Sequence, residues 1–191
     1  MLRLILASQS AYRLELLRDA GYDVVAIPSN IDEPDPATFA SIEAGLSHIA
    51  ELKARAVWKL GNEGLIFAAD TVGYVDGKVF GKPVDREDAR RMLAAISGTR
   101  HDVLTGWCLF HTPDERMLSG VERTRITMRP WTAAELEGYL DSREWEEKCG
   151  AYGLLPAGDP FVTHIEGSAT NVIGVPIERL QQVLPDFVRP A

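Results

Sequence analysis

The stretch Leu65-Ile66-Phe67-Ala68-Ala69-Asp70-Thr71 decides the fold of this 191-residue chain. Its five successive apolar residues predict a buried strand, and Asp70 follows that strand directly. Open α/β sheets bind their ligands at the carboxyl ends of their strands. Lys82, in Gly81-Lys82-Pro83, follows a predicted tight turn at Asp76-Gly77 and can bring a positive charge near Asp70. An acid and a lysine at a strand end suit a metal-bound polyphosphate.

Composition is that of an ordinary globular protein, with 46% apolar and 25% charged residues. The length suits one domain or two closely joined lobes. A formal charge of −8 disfavours a broad basic surface for nucleic acid, so an anionic substrate needs a few local cations and a divalent metal. Cys108 and Cys149 form no CxxC pair, and no apolar stretch approaches the roughly 20 residues that span a bilayer. We therefore expect a cytoplasmic protein.

Helices and strands alternate along the chain. The predicted strands are, in chain order, residues 2–7, 22–27, 65–69, 72–75, 101–111 and 116–128. The predicted helices begin at Ser8 or Ser10, Thr38, Asp85, Thr132 and residue 177, and the second of them ends at Gly61. The region 149–167, rich in glycine and proline, predicts a structured loop containing a strand. A hairpin among alternating elements predicts a mixed α/β sheet with flanking helices.

Ser8-Gln9-Ser10 and Arg13 lie where the first strand leads into a helix. Free backbone N–H groups and the helix dipole favour an anion at such a position. Two hydroxyls and an arginine could complete a phosphate cradle. A plain helix cap with a surface arginine explains the same residues, and serine caps are common.

Lys53 falls on the apolar face of the long helix, four residues after Ile49 and four before Val57. Buried lysines are rare unless they are paired or functional. The same spacing also fits a lysine at the edge of this apolar face, where the aliphatic part of the side chain packs and the ammonium reaches water. Both interpretations stay open at this point.

Asp32 and Glu33 lie in the polar loop after the second strand. Taken alone they are solvated turn residues. Together with Asp70 they could hold Mg²⁺, which usually takes one or two carboxylates plus substrate phosphates.

Ten short strings extend this pattern over nearly the whole chain. They are Leu6-Ala7-Ser8-Gln9-Ser10, Ile31-Asp32-Glu33, Lys53-Ala54, Ala69-Asp70-Thr71, Gly81-Lys82-Pro83, Ser97-Gly98, Thr105-Gly106, Lys148-Cys149-Gly150-Ala151-Tyr152-Gly153, Gly167-Ser168 and Asn171-Val172-Ile173-Gly174-Val175-Pro176. Each is modest alone, but their order and spacing are highly specific. Together they resemble the Maf family of nucleoside triphosphate pyrophosphatases.

The resemblance implies a single Maf-like domain over residues 1–191, with a mixed twisted sheet, flanking helices and two lobes around a cleft, as in inosine triphosphate pyrophosphatases. It implies hydrolysis of nucleoside triphosphates to monophosphate and pyrophosphate, removal of non-canonical nucleotides and a link to arrest of cell division. The implied cofactor is Mg²⁺ or Mn²⁺. No nucleic-acid polymer or membrane is expected as a partner, and a homodimer is left open. A non-catalytic nucleotide-binding regulator of septum formation is the alternative.

The resemblance also assigns roles by position in this sequence. Asp70 is the proton acceptor, and Glu33 joins it at the metal. The residues expected to contact phosphates are Ser8, Ser10, Arg13, Lys53 and Lys82.

Two departures from the family pattern concern recognition of the nucleotide base. Tyr12 stands where the family often has an arginine, and Leu155 stands where the branch specific for thymidine and uridine triphosphates has glutamine. Thr71 does match that branch. Tyr12 could stack on a base or simply pack in the lobe. We therefore expect Tyr12, Thr71 and Leu155 to govern a broader or shifted base preference.

Overall fold

The computed structural model describes residues 2–154 and 159–189. Within these ranges the chain forms seven strands and six α-helices. In chain order they are β1 (Arg3–Leu6), α1 (Ala11–Asp19), β2 (Asp23–Ala26), α2 (Ile42–Lys59), β3 (Leu65–Val75), β4 (Lys78–Phe80), α3 (Arg86–Ile96), β5 (Arg100–His111), β6 (Arg116–Met128), α4 (Ala133–Ser142), β7 (Val162–Glu166), α5 (Ala169–Ile173) and α6 (Ile177–Phe187). Two short 3-10 helices cover Pro36–Thr38 and Cys149–Ala151.

The strands form one sheet in the order β2-β1-β3-β5-β6-β7, with β4 also paired to β3. Strand β1 is parallel to both β2 and β3, whereas β4 is antiparallel to β3 and β7 is antiparallel to β6. The predicted mixed α/β sheet with flanking helices is therefore confirmed.

Strand β3 corrects the prediction that Asp70 ends a strand. The two predicted segments, 65–69 and 72–75, are one continuous strand, and Asp70 lies in its middle. Its position is nevertheless special, because β1 pairs with β3 only as far as Phe67 and β4 pairs with it only from Gly73 onward. Asp70 thus lies just beyond the carboxyl end of the parallel pairing with β1.

Helix α2 begins later than predicted. Thr38 ends a short 3-10 helix that Asp35 caps, and α2 starts after Ser41, whose Oγ accepts a hydrogen bond from the backbone N–H of Ala44 at 3.1 Å. The predicted apolar face of α2 is buried over most of the helix, as the burial of Ile49 and Val57 shows.

Helix α2 also packs closely on β5. A Cβ added at Gly106 would lie 2.3 Å from the backbone of Leu46, so only glycine fits there. This packing fixes the helix that carries Lys53.

Contacts divide the chain into two compact units. The first contains residues 1–70, 105–122 and 173–191, and its core includes Leu6, Phe67 and Leu109. The second contains residues 71–104 and 123–172, with a separate core. The single-domain interpretation of residues 1–191 stays a prediction. No helix in the described ranges combines the length and the apolar character that a membrane crossing requires.

Candidate active site

Lys53 lies between two carboxylates of the first unit. Its Nζ is 2.7 Å from Asp70 Oδ1 and 3.0 Å from Glu33 Oε1. Lys53 is only 5% exposed, and the side chain of Asp70 is 15% exposed, whereas that of Glu33 is about half exposed. The ammonium therefore lies inside, and the cluster reaches solvent through Glu33. Of the two interpretations left open for Lys53, the structure supports the buried, paired one, because the ammonium contacts carboxylates rather than extending into water.

The start of α1 forms the second part of the site. Ser10 caps the helix, its Oγ accepting a hydrogen bond from the backbone N–H of Arg13 at 3.3 Å. Ser8 Oγ accepts from the N–H of Ser10 at 3.1 Å. Each hydroxyl acts as an acceptor in these contacts and so keeps its O–H proton for an anion. The first turn of α1 thus combines helix N–H groups with two serine hydroxyls.

Arg13 connects this turn to β3. Its Nη1 donates to the carbonyl oxygen of Ala69 at 2.8 Å and lies 3.4 Å from Ser8 Oγ, while its Nε donates to the carbonyl oxygen of Gly174 at 3.1 Å. Because Ala69 precedes Asp70, the arginine holds the backbone beside the carboxylate. Arg13 was predicted to contact phosphate; these three contacts are with the protein itself, and the phosphate role stays a prediction.

The two carboxylates fit a divalent cation. Asp70 and Glu33 converge on one ammonium nitrogen, so their oxygen atoms can reach a common cationic centre. No group of three or more His, Cys, Asp or Glu side chains that could hold a metal occurs in the described part of the chain. A pair of carboxylates is what Mg²⁺ needs when substrate phosphates and water complete its shell.

Lys82 belongs to the second unit, where it forms an exposed ion pair. Its Nζ is 2.6 Å from Glu147 Oε2, and both side chains are more than half exposed. The backbone N–H of Gly150 donates to the carbonyl oxygen of Gly81 at 2.9 Å, which ties the two segments together. Glu147 was not predicted, because nothing local in the sequence links it to Lys82.

Thr71 is buried in the second unit, and its carbonyl oxygen accepts a hydrogen bond from Cys149 Sγ at 2.8 Å. The same loop is held by Tyr152, whose hydroxyl lies 2.8 Å from His101 Nε2. Burial lowers the pKa of His101 to about 4, although the neighbouring charge of Asp102 acts in the opposite direction. Burial also raises the pKa of Tyr152. This neutral pair fixes the loop that follows Cys149.

The remaining predicted residues are those expected to select the nucleotide base. Tyr12 lies on α1 and is 50% exposed, so half of its surface is open to solvent. Its role in base recognition stays a prediction. Leu155 lies outside the described residues.

The first unit therefore brings most of the predicted site residues into one connected cluster. Its members are Ser8, Ser10, Arg13, Glu33, Lys53 and Asp70. Sequence reasoning missed Gly174, whose carbonyl oxygen holds Arg13. The sequence signal was its place in the string Asn171-Val172-Ile173-Gly174-Val175-Pro176, and the structure shows Gly174 in a short loop with a positive φ of 110°.

A solved structure of another protein has a similar fold. A solved structure described as the Staphylococcus aureus Ham1 protein is similar to 84% of this chain and 80% of its own, with a TM-score of 0.51 and 15% identity. That likeness concerns the fold alone, and it agrees with the mixed α/β sheet and flanking helices described above.

Sequence relatives match at much higher identity. A dTTP/UTP pyrophosphatase of Acetivibrio thermocellus is 40% identical over 98% of this chain and 96% of its own length. A protein of the same name from Anaeromyxobacter sp. is 42% identical over 95% of this chain and 88% of its own length. The family model described as Maf-like protein matches residues 3–187. The order of the motifs, the fold and this match over almost the whole length lead to one conclusion: the chain belongs to the Maf-like protein family.

Proposed function

We propose that this protein hydrolyses nucleoside triphosphates between the α and β phosphates, releasing a nucleoside monophosphate and pyrophosphate. The observation that carries the proposal is the convergence of Lys53, Asp70 and Glu33 beside the first turn of α1. Relatives that align over nearly the full chain are named dTTP/UTP pyrophosphatases, which supports this reaction class.

In the proposed reaction, Asp70 orients the attacking water and accepts its proton. A middle position in β3 suits this role, because a strand holds the carboxylate more rigidly than a loop does. Lys53 positions Asp70 and offers its ammonium to a phosphate oxygen. The hydroxyls of Ser8 and Ser10 and the first N–H groups of α1 bind further phosphate oxygens.

Asp70 and Glu33 are the residues that would hold Mg²⁺ or Mn²⁺. The cation would neutralise charge on the phosphates and polarise the phosphorus that is attacked. Lys82 would add a second lysine to the phosphate chain, and its exposure leaves its ammonium able to exchange Glu147 for a stronger anion.

Further proposals concern the role in the cell. The protein would work in the cytoplasm, clear non-canonical nucleotides and influence cell division through the nucleotide pool. An increase of modified nucleotides in cells that lack the protein, reversed by the active enzyme and not by an inactive variant, would support this role. An unchanged pool in those cells would contradict it.

Product analysis tests the reaction itself. Purified protein is incubated with Mg²⁺ and dTTP or UTP, and the phosphorus-containing products are identified by ³¹P nuclear magnetic resonance. We expect a monophosphate and pyrophosphate in equal amounts. Release of inorganic phosphate with a diphosphate would contradict the proposal, and tight binding without turnover would favour the non-catalytic regulator.

Asp70→Asn keeps the shape of the side chain and removes the base. We expect turnover to fall by about 10²–10⁴-fold, the usual contribution of a general base. Asp19→Asn, at an exposed position at the end of α1, is the matched control and should retain normal turnover. Near-normal turnover of Asp70→Asn with Mg²⁺ present would exclude Asp70 as the base.

A further inference from the structure

The ammonium of Lys53 stands where the two metal-binding carboxylates meet. It contacts one oxygen of Asp70 at 2.7 Å and one oxygen of Glu33 at 3.0 Å, so it already supplies a counter-ion to both. The three groups together carry one net negative charge. A divalent cation that binds the same oxygen atoms would lie close to a buried positive charge.

The stem of Lys53 cannot simply move away. It lies on the buried face of α2, next to Ala50, Ala54 and Val57, which pack in one core cluster with Ile66 of β3. Only the end of the Lys53 side chain can move the ammonium, because rotation about its last bonds leaves the packed stem in place. The ammonium would leave the carboxylates only for another anion of comparable charge.

We propose that Lys53 and the divalent cation are alternative counter-ions of the Asp70–Glu33 pair, so that the cation is taken up together with the triphosphate. This inference rests on the proposed function and deepens it. A triphosphate brings oxygen atoms that pair with the lysine ammonium and complete the shell of the cation. Without a triphosphate, the lysine repels the cation from the carboxylates at short range. In the free protein, the lysine ammonium therefore neutralises part of the negative charge of the two carboxylates.

Metal binding to the nucleotide-free protein tests this directly. The probe is Mn²⁺ alone, and free Mn²⁺ is measured by electron paramagnetic resonance during a titration. We expect weak binding by the unmodified protein. Lys53→Met, which keeps an unbranched side chain of similar length without the charge, should bind Mn²⁺ about tenfold or more tightly than the unmodified protein, with one ion per chain. Lys53→Arg keeps the charge and should stay weak.

A double variant assigns the gain to the carboxylates. Lys53→Met combined with Asp70→Asn should lose the added affinity. Addition of a non-hydrolysable triphosphate, with a methylene group between its α and β phosphorus atoms, should tighten Mn²⁺ binding to the unmodified protein. Circular dichroism confirms that each variant is folded, and Lys53→Gln replaces Lys53→Met if the latter does not fold.

Tight Mn²⁺ binding by the unmodified protein without nucleotide would overturn the proposal, as would equal affinities of Lys53→Met and Lys53→Arg. These measurements involve no turnover. Their outcome is therefore separate from product analysis, which alone decides whether the protein is a pyrophosphatase.

Discussion

The side chain of Arg13 holds the carbonyl oxygen of Ala69, with a hydrogen bond of 2.8 Å from Nη1 to the residue that precedes Asp70. The same guanidinium donates from Nε to the carbonyl oxygen of Gly174 at 3.1 Å. A planar group with several fixed donors can serve two carbonyl groups at once, which an ammonium on a flexible stem does less well. Arg13 therefore fixes the backbone beside Asp70, the predicted general base, in addition to any contact with phosphate.

Arg13→Lys should lower the free energy of unfolding by about 1–2 kcal/mol, because at least one partly buried carbonyl group loses its donor. Turnover should fall as well, since the backbone beside Asp70 becomes less constrained. Urea unfolding and steady-state kinetics measure the two effects. Arg18→Lys on the same helix, which removes only a contact of 3.4 Å to the carbonyl oxygen of Val24, is the control and should change little. Equal effects of the two variants would contradict this role for Arg13.

His101 should make stability depend on pH. Burial lowers the pKa of His101 to about 4 in the folded protein, so between its unfolded pKa and that value only the unfolded chain binds the proton. Stability should therefore fall by about 2 kcal/mol as the pH drops from about 7.5 to about 5. His101→Gln does not titrate, so urea unfolding of that variant should show a smaller loss over the same window.

Asp102 does not account for a change in that window. Desolvation would raise the pKa of Asp102, but hydrogen bonds and charges from Arg125 and Arg123 outweigh it and hold the pKa below its ordinary value. Its stabilising contribution persists above its unfolded pKa and is lost only at lower pH. An identical loss of stability in His101→Gln and the unmodified protein would thus show that other groups carry the effect.

Lys82→Ala should weaken substrate binding and change the free energy of unfolding little. The side chain is exposed, and an exposed ion pair such as that with Glu147 contributes at most about 1 kcal/mol. Loss of one charge-assisted contact to phosphate should raise KM by about tenfold or more. Lys78→Ala, at an exposed position on β4, is the control. An unchanged KM with lower stability would assign Lys82 a structural role.

Base preference should respond to Tyr12 and Leu155. The unmodified protein is expected to accept a broader or shifted set of bases than the branch that has arginine and glutamine at these positions. Polar groups discriminate because the wrong base leaves them unpaired. Tyr12→Arg combined with Leu155→Gln should raise the relative kcat/KM for dTTP and UTP by about tenfold or more.

A panel of canonical and modified triphosphates measures the change, and Tyr12→Leu, which removes the aromatic ring without adding a positive charge, controls for loss of the ring. An exclusive preference of the unmodified protein for dTTP and UTP would show that these two residues do not govern the choice.

Local signals predicted the N-caps of α1, α3 and α4. Ser10, Asp85 and Thr132 each cap the helix that the sequence assigns to them, because a cap depends only on residues within the first turn. The Asp76-Gly77 turn is confirmed for the same reason: both residues have positive φ, as a type I′ hairpin requires. Helix α5 was not predicted; its signal was Ser168, whose Oγ accepts from the N–H of Asn171.

Features that depend on tertiary contacts could not be predicted from the sequence. Helical phase allowed either a buried Lys53 or one at the edge of the apolar face. Its pairing with Glu33 spans twenty residues of sequence and depends on how α2 meets the loop after β2. Asp70 looked like a strand end because polar residues interrupt the apolar run there. The strand continues because pairing with different neighbours supports its two halves.

The division into two compact units limits how the chain can be cut. The backbone passes from one unit to the other at residues 70–71, 104–105, 122–123 and 172–173, so neither unit is a contiguous stretch. A break at the exposed turn Pro113-Asp114, between β5 and β6, would leave two fragments that each hold parts of both units. Neither fragment could complete either core by itself. The two halves should therefore fold only in each other's presence, which makes this turn a suitable place for a split enzyme whose activity reports their reassembly.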